Sequence, residues 1–213
     1  MRDFFIILCF LFVQFNYGQE IATLKYKGGG DWYSNPTALP NLISFSNQNI
    51  KTKISSQVKE VAPDDPEIFD FPYIYMTGHG NVFFSENDIE NLREYLLSGG
   101  FLHIDDNYGL DEYIHKELEK LFPEKKLEEL PASHPIFSNY FKFPNGLPKI
   151  HEHDGKPAQA FGIYEGDRLL LLYTYESDLG NGWEDKNIHN DPEEVRQKAL
   201  KMGANILFYI FTK

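Results

Sequence analysis

Beyond the first 18 residues, two stretches of this chain stand out as apolar at every position, and two further runs are mostly apolar. Residues 73–76 and 169–173 carry no charged side chain, a pattern typical of strands that helices cover on both faces of a parallel sheet. Residues 21–26 and 101–104 predict two further strands. Because the apolar residues are continuous rather than alternating, the first two runs are expected to be central strands.

Helix-spaced apolar positions lie between and after these strands. Residues 85–97 begin with a Ser-x-x-Asp capping box and stop before a Gly-Gly pair. A second helix is predicted to end before Pro123, and the last to begin with Asp191 as its cap and Pro192 as its first helical residue. The positions expected to face inward are Ile89, Leu92, Leu96, Ile114, Leu118, Leu121, Val195, Ala199, Met202, Ile206 and Ile210.

Strand, helix and strand in this order form a right-handed crossover unit. The chain is therefore predicted to be an α/β protein, a three-layer sandwich with a mainly parallel sheet. Residues 127–159 interrupt the pattern with prolines spread along their length. Long irregular stretches inside compact domains are usually functional or disordered, so we interpret this one as an excursion that covers the site.

Polar and Gly-rich segments follow each of the four predicted strands. They occupy residues 28–33, 77–81, 105–109 and 176–183. In an open parallel sheet, ligands bind in the crevice beyond the carboxyl ends of the strands. The sequence therefore predicts that these four segments converge on one crevice.

Charge and composition exclude some classes of function. The net charge is -12, and the densest basic pair, Lys125 and Lys126, is flanked by acidic residues. Nucleic-acid binding is not expected, because it needs clustered Lys and Arg. An aromatic content of 15% favours a folded protein. Residues 19–213 contain no linker or repeat and are predicted to form a single α/β domain.

The amino terminus has the features of a secretory signal peptide. Arg2 precedes an apolar run at residues 4–13, and Gly18 supplies a small residue for cleavage. This run is shorter than the roughly 20 residues that span a bilayer, which disfavours the alternative of a membrane anchor. We expect residues 1–18 to be removed and the protein to be exported, to the periplasm or the cell exterior. Cleavage would also remove Cys9, the only cysteine, and with it any thiolate chemistry.

Five motifs occur in order over nearly the whole mature chain. They are Gly-Gly-Gly-Asp-Trp-Tyr at 28–33, Thr-Gly-His-Gly-Asn at 77–81, Gly-Gly-Phe-Leu-His-Ile-Asp-Asp at 99–106, His-Pro-Ile-Phe at 134–137 and Asp-Leu-Gly-Asn-Gly-Trp at 178–183. Together they resemble the domain of unknown function 4159 family. More remotely, residues 73–106 are similar to ThuA-like proteins and to the class I glutamine amidotransferase-like fold. This resemblance implies a flavodoxin-like sandwich but no activity, because fold does not fix function.

The remote resemblance also shows what the chain lacks. In the amidotransferases a Gly-rich loop follows one strand and a cysteine nucleophile follows the next. Residues 78–80 stand at the first position, and Asp105 stands close to the second. Glutaminase activity is not expected, because that reaction needs a thiolate at this turn. A serine esterase is not expected either, since no G-x-S-x-G elbow occurs.

His79 and Asp105 are the candidate catalytic residues. His79 stands between two glycines directly after a buried strand, and Asp105 is the best candidate for a carboxylate that takes a proton or holds a metal. His103 shares a strand face with Asp105, and we favour a core position for it. The sequence allows a divalent metal with His79, His103 and Asp105 as ligands, although their spacing matches no recognised zinc motif.

Residues of all four segments are candidates for binding a small molecule or a carbohydrate. Glycines allow close approach of a ligand but also form turns, and the aromatic residues suit either sugar stacking or packing. One of Asp105 and Asp106 is expected to cap the next helix or to accept hydrogen bonds from loop amides. The ligand-binding candidates are Gly28, Gly29, Gly30, Asp31, Trp32, Tyr33, Gly78, Gly80, Asn81, Asp106, Asp178, Gly180 and Trp183.

The histidines of residues 151–154 are also candidate ligands, but a surface turn of mixed charge is the favoured interpretation. Two classes of function remain. The first is an exported cell-envelope protein that binds a small molecule or glycan without catalysis. The alternative is a hydrolase in which Asp105 and His79 act as acid and base or hold a metal that activates water.

Overall fold

The computed structural model describes residues 19–212, and the predicted signal peptide lies outside them. A seven-stranded sheet forms the centre of the fold. Its strands are β1 Ile21–Leu24, β2 Lys59–Val61, β3 Tyr73–Gly78, β4 Leu102–Asp106, β5 Glu128–Glu129, β6 Gln159–Glu165 and β7 Arg168–Tyr175.

The strands are arranged in the order β2-β1-β3-β4-β7-β6-β5. The first five in this order pair in parallel, whereas β6 and β5 extend the sheet as antiparallel strands. The carboxyl ends of β1, β3, β4 and β7 therefore lie at one edge, named here the carboxyl edge. The four strands predicted from the apolar runs are these same four.

Residues 19–212 form six α-helices, and helices pack on both faces of the sheet. They are α1 Ala38–Asn49, α2 Glu86–Leu97, α3 Asp111–Leu121, α4 Leu179–Trp183, α5 Lys186–His189 and α6 Glu193–Phe211. One apolar core joins α1, α4 and α6 to the face that carries Tyr73 and Tyr75, and a second joins α2 and α3 to the face that carries Ile74 and Met76. This arrangement confirms the predicted three-layer α/β architecture with a mainly parallel sheet.

Helix ends agree with the sequence in one case and differ in another. Ser85 caps α2 as predicted, since its hydroxyl accepts from the Asp88 amide and the Asp88 carboxylate accepts from the Ser85 amide. Asp191 was predicted to cap α6, which is wrong: the cap position is Pro192, and the helix begins one residue later. The carboxylate of Asp191 instead accepts a hydrogen bond from the His151 ring, with Oδ1 lying 2.8 Å from Nε2.

The excursion at residues 127–159 has two parts. Its middle packs against α6, where Asn205 exchanges hydrogen bonds with the backbone of Phe141. Its last part reaches the carboxyl edge, where the Ile150 amide donates to the Ser177 carbonyl at 3.0 Å. The excursion therefore covers this edge, as the sequence suggested. Within residues 19–212, no helix is both long enough and apolar enough to cross a membrane.

Candidate functional site

Strand register brings the predicted polar segments to the carboxyl edge. Thr77 lies opposite Asp105 in the β3–β4 pair, and Asp105 lies opposite Thr174 in the β4–β7 pair. The loop with His79 begins at the end of β3, and the segment with Asp178 follows β7. The structure thus places the four segments along one edge but assigns them to separate local environments.

Asp105 is the final acceptor in a chain of side-chain hydrogen bonds that runs through the core. The Tyr73 hydroxyl lies 2.9 Å from His103 Nδ1, and His103 Nε2 lies 3.0 Å from Thr174 Oγ1. The Thr174 hydroxyl donates to Asp105 Oδ1 at 2.6 Å. Because an ionised carboxylate only accepts, each group of the chain donates toward Asp105.

Burial controls the ionisation of this chain. Burial lowers the pKa of His103 to about 3, so the ring is neutral. The side chain has no exposed surface, which confirms the favoured core interpretation. Burial also raises the pKa of Asp105 to about 6, although hydrogen bonds from Thr174, the Gly180 amide and Tyr75 oppose the shift. Asp105 has no exposed surface, and three protein donors already use its oxygens.

Asp106 fulfils the expectation that one of the two adjacent carboxylates binds loop amides. Its Oδ1 accepts from the amides of Tyr108 and Leu110, both at 3.0 Å. Its Oδ2 lies 3.4 Å from the Tyr173 hydroxyl. Burial raises the pKa of Asp106 against these hydrogen bonds. The residue therefore shapes the turn between β4 and α3.

The Gly-rich segment after β1 packs against the loop after β3. The Gly30 amide donates to the Asn81 carbonyl at 2.9 Å. A Cβ at Gly28, where φ is +116°, would lie 2.7 Å from the Phe83 nitrogen, and one at Gly30 would lie 2.7 Å from Asn81 O. These glycines are needed for backbone-to-backbone contact, which agrees with their interpretation as turn residues.

His79 lies at the rim of this edge and pairs with Asp31. Its amide donates to Asp31 Oδ1 at 2.5 Å, and its ring Nδ1 lies 3.0 Å from Asp31 Oδ2. The ring is half exposed. His79 and Asp105 therefore have different partners, one at the surface and one in the core.

Trp32 and Tyr33 line a cavity of about 380 Å³ on the α1 face of the sheet. Their rings meet edge to face with centroids 5.6 Å apart, and Tyr33 is 66% exposed. Asn35 is one of its polar lining residues. The complete lining is Thr23, Trp32, Tyr33, Ser34, Asn35, Pro36, Leu39, Pro40, Val58, Glu60 and Tyr75.

Trp183 does not belong to this cavity, and its placement at a ligand surface is corrected by the structure. The side chain is fully buried, and its Nε1 donates to the Ala199 carbonyl at 2.8 Å. Its ring packs near Tyr75 and His103. Because α4 turns the chain back over the sheet, Trp183 joins the core between α4 and α6.

A chain of amides connects the cavity wall to the ends of β4 and β7. Asn107 Nδ2 donates to Asn35 Oδ1 at 3.2 Å, and Asn35 Nδ2 donates to Asn181 Oδ1 at 2.8 Å. Asn181 Nδ2 lies 3.1 Å from His151 Nδ1. Sequence patterns did not indicate this chain, because its members come from four separate segments.

Two histidines and Asp178 extend this series of contacts back to Tyr108, the residue after Asn107. His151 Nδ1 lies 3.6 Å from Asp178 Oδ2, and His153 Nε2 hydrogen-bonds to the same oxygen. Tyr108, which follows Asn107, stacks on His153 with ring centroids 4.8 Å apart. These residues are named the polar circuit: Asn35, Asn107, Tyr108, His151, His153, Asp178 and Asn181.

The histidines of this circuit lie in an irregular surface segment of mixed charge, as the sequence favoured, and they also contact the buried carboxylate of Asp178. The sequence feature that could have indicated these contacts is the His-x-His pair, which lies near the end of the excursion expected to cover the crevice. Glu176 and Asp178 also have left-handed backbone, with φ of 53° and 59°. Such conformations in residues other than glycine concentrate at functional sites.

Asp178 is the most perturbed carboxylate of the circuit. Burial and the nearby charge of Asp105 raise its pKa to about 7, against the lowering effect of His153. The residue has no exposed surface, and its Oδ1 has no hydrogen-bond partner among residues 19–212. An unpaired, buried carboxylate oxygen is costly and is unusual unless it has a role.

The proposed metal ligands His79, His103 and Asp105 are not brought together as a metal site. His103 and Asp105 are connected through Thr174, whereas His79 is at the rim. Among the described residues, no three His, Cys, Asp or Glu side chains are grouped so that they could hold a metal ion.

Fold and site together define the class: an α/β protein with a mainly parallel sheet whose polar site lies at the carboxyl edge. Residues 20–211 match the model of a domain of unknown function, DUF4159, and the chain belongs to this family. This confirms the family that the five motifs predicted. None of the curated proteins matches the chain.

Proposed function

We propose that this protein is an exported cell-envelope protein that binds a small polar ligand of carbohydrate type in the cavity beside Trp32 and Tyr33. The observation that carries the proposal is the combination, in one cavity of about 380 Å³, of aromatic rings with hydrogen-bonding side chains. Ligand sites of small molecules typically have volumes of about 300 to 1,000 Å³ and contain a few polar groups.

The aromatic part of the cavity suits a sugar ring. Trp32 is held in place by Tyr33 on one side and by the Lys25 ammonium, which lies 5.0 Å from its ring centroid. Aromatic faces supply apolar contact area, whereas the cavity's polar groups can fix orientation.

The polar part lies along the floor of the cavity. Glu60, Thr23 and Tyr75 occupy adjacent positions on β2, β1 and β3, since Thr23 pairs with both neighbours in register. Glu60 and Thr23 offer an acceptor and a hydroxyl to the hydroxyls of a ligand. Asn35 also lines the cavity, with its amide held by Asn107 and Asn181.

No observation favours the hydrolase alternative based on Asp105 and His79. The oxygens of Asp105 accept from Thr174, Tyr75 and Gly180 in the core. His79 Nδ1 is occupied by Asp31. Binding is therefore the function that the geometry supports best.

Titration calorimetry with a panel of neutral mono- and disaccharides tests this proposal. We expect at least one saccharide to bind the native chain, Trp32→Phe to retain binding, and Trp32→Ala to weaken it by about tenfold, because the aromatic face is lost. Tyr140→Ala removes an exposed aromatic ring outside the cavity and serves as the control. Equal affinity of Trp32→Ala and the native chain would contradict the proposal, as would the failure of every saccharide to bind.

A further inference from the structure

We propose that the polar circuit is a binding site for an ammonium group, that is, for an organic cation with N–H donors. The site is separate from the Trp32 cavity and shares only Asn35 with it. The proposal rests on two buried oxygen atoms, on the direction of the hydrogen bonds around them, and on the uncompensated charge of the surrounding carboxylates.

The two oxygen atoms are Oδ1 of Asp178 and Oδ1 of Asn107. Both belong to buried residues, with 0% and 2% exposure, and neither has a hydrogen-bond partner in residues 19–212. Buried polar atoms in folded proteins nearly always have partners. Because both atoms are acceptors, the group that would complete the site must be a donor.

Hydrogen-bond directions fix Asn107 Oδ1 as an acceptor. His151 Nε2 donates to Asp191 Oδ1, at 2.8 Å. Asn181 presents its amide nitrogen to His151 Nδ1, at 3.1 Å, and its oxygen to Asn35.

The same logic extends to the end of the amide chain. Asn35 donates to Asn181 and therefore presents its oxygen to Asn107. Asn107 uses its nitrogen in that contact, which leaves its oxygen free. Reversing the Asn107 amide would set two oxygens against each other.

The carboxylates around the circuit carry negative charge, and no Lys or Arg of residues 19–212 pairs with them. Asp105, Asp106 and Asp178 are all buried, and Asp178 interacts with the charges of the other two. Within the described part of the chain, no Lys or Arg nitrogen lies within 4.0 Å of these carboxylates. A bound cation would compensate this charge, and the raised pKa of Asp178 agrees with the lack of compensation.

The circuit meets solvent at Tyr108 and His153. Tyr108 is 49% exposed, and the side chain of His153 is 25% exposed. A small cation could enter past these stacked rings, and their edges would border it. An organic ammonium fits better than a metal ion, because no metal-holding group of three side chains occurs among residues 19–212.

Methylammonium and tetramethylammonium distinguish this proposal from a general effect of charge. They carry the same charge, but only methylammonium has N–H donors. We expect methylammonium chloride to produce saturable changes in the NMR signals of the His151 and His153 rings in the full chain. Tetramethylammonium chloride should produce none that saturate. Equal responses to the two cations would overturn the proposal, and so would saturable Mg²⁺ binding without a response to methylammonium.

Two variants locate the site. Asp178→Asn keeps the shape of the side chain and tolerates the left-handed backbone, and Asn107→Ala removes the other free oxygen. Each should weaken methylammonium binding by about tenfold or more, the usual effect of losing a hydrogen bond to a charged group. Asp167→Asn makes the same chemical change at an exposed turn residue before β7, at the opposite end of this strand from Asp178, and should bind normally. Native affinity in both site variants, with melting temperatures that show folded protein, would overturn the proposal.

Trp32→Ala separates this site from the proposed carbohydrate cavity. That variant should bind methylammonium as the native chain does, because the ring of Trp32 contacts Tyr33 and Lys25, which are not members of the circuit. Loss of saccharide binding and loss of methylammonium binding are therefore independent results.

Discussion

Asp105 illustrates, at the scale of a residue, how a buried carboxylate can organise its surroundings. It is fully enclosed, yet donors from β3, β7 and α4 converge on its two oxygens. These contacts connect three segments that are distant in sequence. A role in holding the carboxyl edge together explains this residue more directly than contact with a ligand.

We expect Asp105→Asn to reduce the dependence of stability on pH. A buried acid whose folded pKa is raised from 3.8 to about 6 contributes stability below pH 3.8 and loses it as the pH rises through about 6. The loss amounts to about 3 kcal/mol, at about 1.4 kcal/mol per pKa unit. Relative to the variant, the native chain should therefore lose free energy of unfolding between about pH 4 and pH 6.

Urea unfolding at a series of pH values measures this difference. Asp167→Asn provides the control, because Asp167 is an exposed turn residue. Its stability should follow that of the native chain at every pH. A native pH dependence in Asp105→Asn would show that Asp105 is not the group responsible.

The site residues show how far a single sequence can be interpreted. Position at or just beyond the carboxyl end of a strand was enough to locate Asp105, Asp106 and Asp178 at one edge. It could not show that Asp105 faces inward, because its partners come from elsewhere in the chain. The role of His151 and His153 was missed for the same reason, since their contacts to Asp178 and Asn181 bridge 25 to 30 residues.

At the scale of elements, the sequence was enough to predict a helix or a strand where clear local patterns mark it. The helix α2 has a capping box and one apolar face, and β3 and β7 are continuous apolar runs. The helix α1 was not predicted, because it has no capping side chain and no acidic residue in its first turn. The short strands β2 and β5 depend on pairing with neighbours rather than on their own composition.

The capping box of α2 gives a prediction at this scale. Ser85→Ala removes the hydroxyl that accepts from the Asp88 amide and should lower the free energy of unfolding by about 1 kcal/mol. Urea unfolding monitored by circular dichroism measures the change. Ser44→Ala removes an exposed hydroxyl within α1 and should have a smaller effect. Equal effects of the two changes would mean that the cap does not stabilise α2.

At the scale of the whole molecule, the crossover between β3 and β4 was enough to predict the α/β architecture. The order of the seven strands was not predictable, because it depends on contacts between distant segments. In particular, β7 inserts beside β4, and β6 and β5 then extend the sheet in the antiparallel sense. That insertion places Asp178 beside Asp105 and thereby creates the polar circuit.

Export is a prediction about the whole molecule. Residues 1–18 have a basic start and a short apolar run, so we expect a mature chain that begins near Gln19. Intact mass of the protein recovered from the periplasm or the medium measures the cleavage point. Replacing Ile7 and Leu8 with Arg should block processing, because it interrupts the apolar run. A membrane-bound protein that retains Met1 would contradict the prediction.

The hydrogen-bonded chain from Tyr73 through His103 and Thr174 to Asp105 has a consequence for evolution. Each group in the chain orients the next, so the residues are constrained jointly rather than one by one. A substitution at any member leaves its neighbour with an unsuitable donor or acceptor until a second change restores the match. Homologous chains should therefore keep all four residues or replace several of them together.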